Sequence, residues 1–229
     1  PGLIGGLLHG LARPTTCHFY WASNACDPSL TPLPYAPPRA LALLSEAGWR
    51  DHDGDGILDK GSVPFRFGLM IPASSPEAAK MATKLKEDFG RAGIDLRLQR
   101  VEWSIFVRRL RTHDFDACTL AWADSGPRGD PTQIWHSSSR EGGSNYVGFD
   151  NREADLLMDE ARGTLDDERR DALYRRLGAL LHREQPYTWL YVRPRLTLLR
   201  RSVHGAYTSL AGWQPEEWWV DDGTQEVGR

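Results

Sequence analysis

Apolar residues recur with two different periods along this chain, and the switches between them mark out most of its elements. In PPRALALLSEAGW, Leu41, Leu44 and Ala47 fall on one helical face, Pro38 suits the first turn and Gly48 ends it. PFRFGLMI then alternates Phe65, Phe67, Leu69 and Ile71, the two-residue period of a strand. SSPEAAKMATKLKEDFGRAGI returns to the helical period through Met81, Leu85 and Phe89, with Ser75 ahead of Pro76 and Gly93 at its close. Ile94, Leu96 and Leu98 alternate in IDLRLQRV, WSIFVRRLRTH predicts a short helix with a basic face, and FDACTLAW predicts a strand. This β-α-β-α-β succession predicts right-handed crossovers and a mainly parallel sheet.

Beyond FDACTLAW the periodicity lapses. ADSGPRGDPTQIWHSSSREGGSNYVGFDN has room for at most one helical turn, and so long a loop inside a compact domain is either functional or disordered. Its Trp135 and Tyr146 argue against disorder. NREADLLMDEAR and DDERRDALYRRLGALLHREQ follow as helices, the second with Leu173, Leu177, Leu180 and Leu181 on its buried side. PYTWLYVR predicts a strand and TLLRRSV another. Pro14, Pro28, Pro32 and Pro34 keep residues 1–36 irregular. The tail GAYTSLAGWQPEEWWVDDG carries Trp213, Trp218 and Trp219, aromatic surface that calls for a cover.

Composition narrows the class. The 229 residues, 40% hydrophobic and 26% charged, suit a soluble globular protein with a true core. No apolar run approaches the ~18 residues of a membrane helix, and the net charge of −3 argues against nucleic-acid binding. The opening PGLIGGLLHGL lacks a basic leader and an initiator Met, as expected of an excised piece. Of the three cysteines, Cys118 in FDACTLAW is expected to be a small core residue. Cys17 and Cys26 lie in the polar and aromatic stretch TTCHFYWASNACDP, without zinc-ligand spacing. They are either a disulfide, which would suit an exported protein and contribute ~2–3 kcal/mol, or two separate thiols.

Two places could carry chemistry. In DHDGDGILDKG, Asp51, Asp53, Asp55 and Asp59 take positions 1, 3, 5 and 9 of a calcium loop, with Gly56 at its turn. Position 12 is Ser62 where a bidentate Glu is required, and one flank is a strand, so the run reads better as a turn. The other place is the carboxyl edge of the sheet, where α/β folds put ligands. Trp103 and Trp122 should both stand there, with Asp124 and Asp130 following. Indole faces and a shielded carboxylate can hold an amphipathic cation. The plainer alternative makes Trp122 core and Asp124 a turn cap. His9, His18, His52, His113, His136, His182 and His204 fit no HExxH or GxSxG setting. Glycine-rich phosphate loops are absent as well, and the chain is not expected to be an enzyme.

Four segments together resemble one family. LLSEAGWRDHDGDGILDKGSVPFRFGLMI, EWSIFVRRLRTHDFDACTLAWA, GDPTQIWHSSSREGGSNYVGFDNREADLLMDEAR and REQPYTWLYV, in this order, look like the family 5 (oligopeptide/dipeptide) solute-binding proteins of ABC transporters. The likeness runs from about residue 7 to the end. Those proteins are longer and close two lobes on a ligand, and this chain resembles their carboxyl-terminal half. The resemblance implies one α/β lobe of a type II periplasmic-binding-protein-like fold. It divides the chain into an irregular entry segment 1–36, a ligand-binding lobe 37–200, and a tail 201–229 that crosses back towards the amino-terminal lobe.

It further implies an exported, periplasmic or otherwise extracytoplasmic, non-catalytic receptor. That receptor takes a peptide or other small solute, passes it to a membrane permease, needs no cofactor or metal, and works as a monomer. Trp103 and Trp122 correspond to the family's pocket tryptophans. Asp124 or Asp130 corresponds to the carboxylate that pairs with a peptide's ammonium, Asp124 standing two residues after Trp122 where three is usual. Trp135 and Tyr146 complete the expected ligand-binding set. Thr119 takes the place of an arginine found in some oligopeptide binders, and export favours the Cys17–Cys26 disulfide. A calcium-dependent structural or adhesion module, and a hydrolase, are the rival readings.

Overall fold

Leu69 and Ile71 point to one face of a short parallel sheet and Met70 to the other, and this single strand organises one half of the molecule. The computed structural model describes residues 2–122, 129–194, 197–209, 212–213 and 215–221. After a π-helical turn at Gly2–Leu7 the chain is irregular up to α1 (Pro37–Glu46). That turn and a bridge at Arg13 depart from the irregularity expected of residues 1–36. A two-stranded hairpin of β1 (Asp59–Lys60) and β2 (Val63–Pro64) leads into β3 (Arg66–Pro72). Then come α2 (Pro76–Arg91), β4 (Asp95–Val101), α3 (Trp103–Arg111) and β5 (Ala117–Cys118). The sheet order is β4-β3-β5 and both pairings are parallel, with Phe67 opposite Leu96 and Met70 opposite Cys118.

The helices form where their caps and stripes predict. Ser75 Oγ accepts from the Ala78 N–H at the start of α2. The α2 stripe, with Ala82 fully buried, covers Leu69, Ile71 and Leu96 on one face of the sheet. On the other face Phe106 and Leu110 of α3 cover Met70, with Phe115, Cys118 and Tyr146 around them. Full burial of side chains of this size contributes about 1.5–3 kcal/mol each. By contrast α1 buries none of its residues.

The second half of the molecule is helical and aromatic. α4 (Thr132–Trp135) and a 3-10 turn at Ser137–Arg140 break up the long loop, which among its described residues holds one α turn and one 3-10 turn. α5 (Arg152–Gly163) and α6 (Asp167–Glu184) pack together through Leu157, Met158, Leu173, Leu177 and Leu181, and Phe19, Cys17, Cys26 and Trp135 join the same core. Cys17 and Cys26 are disulfide-bonded, with their Cα atoms 5.8 Å apart. Cys118 is a free thiol.

Two expected strands differ. Residues 186–193 are not a strand, because their β-pairing is a single antiparallel bridge, Val192 with Arg13. A strand needs a neighbour to receive its ladder, and sequence preference alone supplies none. TLLRRSV yields only β6 (Val203–His204), which pairs with β9 (Trp219–Val220). β7 (Thr208–Ser209) pairs with β8 (Gly212–Trp213) to complete the tail. Trp219 stacks on His204 at 4.2 Å and stays exposed.

Candidate functional site

Two indoles stand at the carboxyl edge of the sheet. β4 ends at Val101, and Glu102 caps α3 by accepting from the N–H groups of Ser104 and Ile105. The Ser104 hydroxyl and N–H hold the Glu102 carboxyl below the usual carboxylate range. This cap fixes Trp103 as the first helical residue. Its ring lies nearly parallel to that of Phe106, 5.5 Å away, and the residue remains 51% exposed. Trp122 follows β5 by four residues and is 39% exposed. Its indole stacks on Tyr146 at 6.0 Å and 14°. Phe106 and Tyr146 belong to one cluster with Met70 and Leu110, so both indoles rest on a single apolar support.

A second aromatic layer lies behind Trp122. Its side chain hydrogen-bonds Tyr187, and since an indole N–H can only donate, the phenol oxygen accepts. Burial pushes Tyr187 from its ordinary 10.0 up to about 12. The Tyr187 ring is 4.4 Å from that of Trp135, which also meets Phe149, Trp189 and His18. Trp135 is fully buried, at 0% exposure. It presents no face to a ligand, and its place among the candidate pocket residues is corrected to that of core support. Burial also pushes the Cys118 thiol up to about 11, in keeping with an inert core residue.

The carboxylates divide. Asp130 Oδ1 accepts from the Thr132 N–H and Oδ2 lies 3.4 Å from Arg162 Nε, so this group ties the entry to α4 to the end of α5. Asp124 lies outside the described residues. The loop that bears Tyr146 is held by a buried side chain. Asn145, at 0% exposure, donates to the carbonyls of His136 and Phe149 and accepts from the Phe149 N–H. Periodicity signalled neither this residue nor Phe106 and Tyr187. Their common signal is position, each lying a few residues from a motif aromatic.

The aspartate loop is a chain of turns. Asp51 accepts from the N–H groups of Gly54 and Gly56, Asp53 from Asp55, and Asp55 from Ile57. Gly54 and Gly56 take the positive φ angles, 79° and 87°, that such turns require. Oxygens of Asp51, Asp53 and Asp59 come within 4.8 Å of one another. Asp59 is held below the usual carboxylate range chiefly by the His52 N–H.

Comparison with known proteins identifies the fold and the family. The chain is 33% identical over 190 residues to the oligopeptide-binding protein AppA of Bacillus subtilis, covering 81% of this chain and 35% of that protein. It is 28% identical over 183 residues to di/tripeptide-binding protein 4 of Pseudomonas aeruginosa, covering 78% of this chain and 32% of the other. It thus spans about a third of the length of these relatives. Among solved structures, AppA in complex with a nonapeptide superposes with a TM-score of 0.81 at 29% identity, over 96% of this chain and 44% of that one. NikA from Brucella suis, in complex with Fe(III)-EDTA, gives 0.71 at 25%, over 83% and 39%. Both the parallel α/β sheet and its flanking helices follow the type II periplasmic binding fold of these neighbours. Residues 2–144 match the middle region of the bacterial extracellular solute-binding proteins, family 5, and the chain belongs to that family.

Proposed function

We propose that this chain supplies one wall of a peptide-binding cleft in an extracytoplasmic receptor that serves an ABC importer. The observation that carries the reading is the pair of half-exposed indoles, Trp103 and Trp122, seated on one apolar cluster at the carboxyl edge of the sheet. Such rings cover a ligand backbone and attract its cationic end. The length of the relatives supports a second wall contributed by another lobe, and closure of the two walls excludes water from the ligand. A membrane permease is the partner, the receptor acts as a monomer, and no catalytic step is involved.

Asp124 is the proposed anchor for the peptide ammonium, because the Asp130 carboxylate is already engaged by Thr132 and Arg162. Calorimetry on the native protein containing this chain, with a nonapeptide and its amino-acetylated counterpart, tests the assignment. Asp124→Asn should weaken the free peptide by about 10- to 100-fold, the worth of one charge-assisted hydrogen bond, and leave the acetylated one unchanged. Equal effects on both ligands would remove Asp124 from the role. A selective loss in Asp130→Asn would transfer it.

A further inference from the structure

His113 stands where the chain would ordinarily place glycine. It follows the end of α3 with φ of 53°, in the left-handed region that a residue with a Cβ enters only at a cost. The cost is offset by what its ring reaches. Nδ1 lies 2.9 Å from the carbonyl oxygen of Tyr146, and Nε2 lies 3.2 Å from that of Arg140. Carbonyl oxygens only accept, so both contacts are hydrogen bonds only in the imidazolium, which alone carries two N–H groups. The first of these bonds fixes the backbone of the residue whose ring backs Trp122.

We propose that protonated His113 is a positioning residue for the solute-binding wall, holding Tyr146, and through it Trp122, in register with the sheet edge. The proposal rests on the reading of that wall as a peptide site. When the ring is neutral one nitrogen turns a lone pair towards a carbonyl oxygen, one bond is lost, and the Tyr146 backbone is released from one side. Charged groups around the ring are Arg109 and Asp114 on its own side and Arg140, Glu141 and Asp150 on the loop. Arg109 pairs with Asp114, and Arg140 with Asp150. Glu141, Ser137 and Ser138 line the hollow beside the ring, and nearby His136 accepts from the Ser138 N–H. Solute affinity should therefore fall as pH rises through the range in which histidine deprotonates.

The test reads Trp122 itself, in native protein free of solute, as the emission of wild type minus that of Trp122→Phe. From about pH 5 to about pH 8 the Trp122 component should move in one step. His113→Gly, which suits the positive φ and so keeps the fold, should abolish the step, and His113→Gln, whose amide donates without titrating, should give an emission that does not change with pH. The same step persisting in His113→Gly would overturn the proposal. In parallel, wild type should bind a free-amino nonapeptide about three- to tenfold more weakly at the upper pH, as expected for one lost hydrogen bond, and His113→Gly should show no such change. A pH dependence retained in that variant would again overturn it. If wild type binds no nonapeptide at either pH, the peptide reading fails and the emission alone decides the role of His113.

Discussion

Trp122 and Trp135 belong to the same stretch of chain, carry the same side chain and do opposite work. Trp122 leaves a strand end and keeps one face in solvent over Tyr146. Trp135 closes a four-residue helix and is sealed among Phe149, Tyr187, Trp189 and the α5–α6 core. The difference lies in what each indole rests on and not in its chemistry. The core tryptophan sets the shape, the rim tryptophans stay open to solvent, and Tyr187 joins the two by touching both Trp135 and Trp122.

The comparison is broken most sharply at the core. Trp135→Ala should destabilise the protein by about 3–5 kcal/mol, the usual cost of removing a fully buried large aromatic, read by urea unfolding with and without the substitution. A loss below ~1 kcal/mol would mean that the indole is not a packing element. Opening the Cys17–Cys26 bridge as Cys17→Ser/Cys26→Ser should cost about 2–3 kcal/mol in the same assay, since both residues and Phe19 belong to the Trp135 core. The joint comes next. Because the folded state raises Tyr187 to about 12 from an ordinary 10.0, its contribution is fully present below about pH 10 and fades as pH rises towards 12. A Tyr187→Phe variant should therefore lose less stability over that alkaline interval than wild type. Smallest in stability is Trp122→Ala, expected to change it by under about 1 kcal/mol while weakening a bound nonapeptide about tenfold. A stability loss matching that of Trp135→Ala would erase the distinction between rim and core.

Much of this was legible in the sequence, for a physical reason. α2, α5 and α6 announce themselves because their stripes and caps act locally, and the parallel β3–β4 pairing follows from the alternation that brackets α2. Residues 186–193 misled because β-branched and aromatic residues favour a strand only where an edge awaits them, and here a lone bridge to Arg13 is what they meet. The rim was legible as position: Trp103 and Trp122 both follow strand ends. The role of Trp135 was not, since a loop indole carries no mark of which way it will turn. Nor was that of Asn145, whose three hydrogen bonds do in one side chain what a ladder would do in a strand. His113 was visible only as one of seven scattered histidines, because its backbone angle and its two carbonyl partners are tertiary facts.

The segment that misled has a mechanical consequence. Coming back along the chain from the tail, a pull meets Arg193 bound to Glu77, then the main-chain bridge of Val192 with Arg13. Next is the Tyr191 hydroxyl on Glu77 and Met81 of α2. Trp189 and Tyr187 come only after these three rivets. Tension arriving through the tail is thus delivered to the first turns of α2 and to the entry segment before it can disturb the aromatic joint behind Trp122. The packing beneath Trp122 and the traction between distant parts of the chain run along separate load paths.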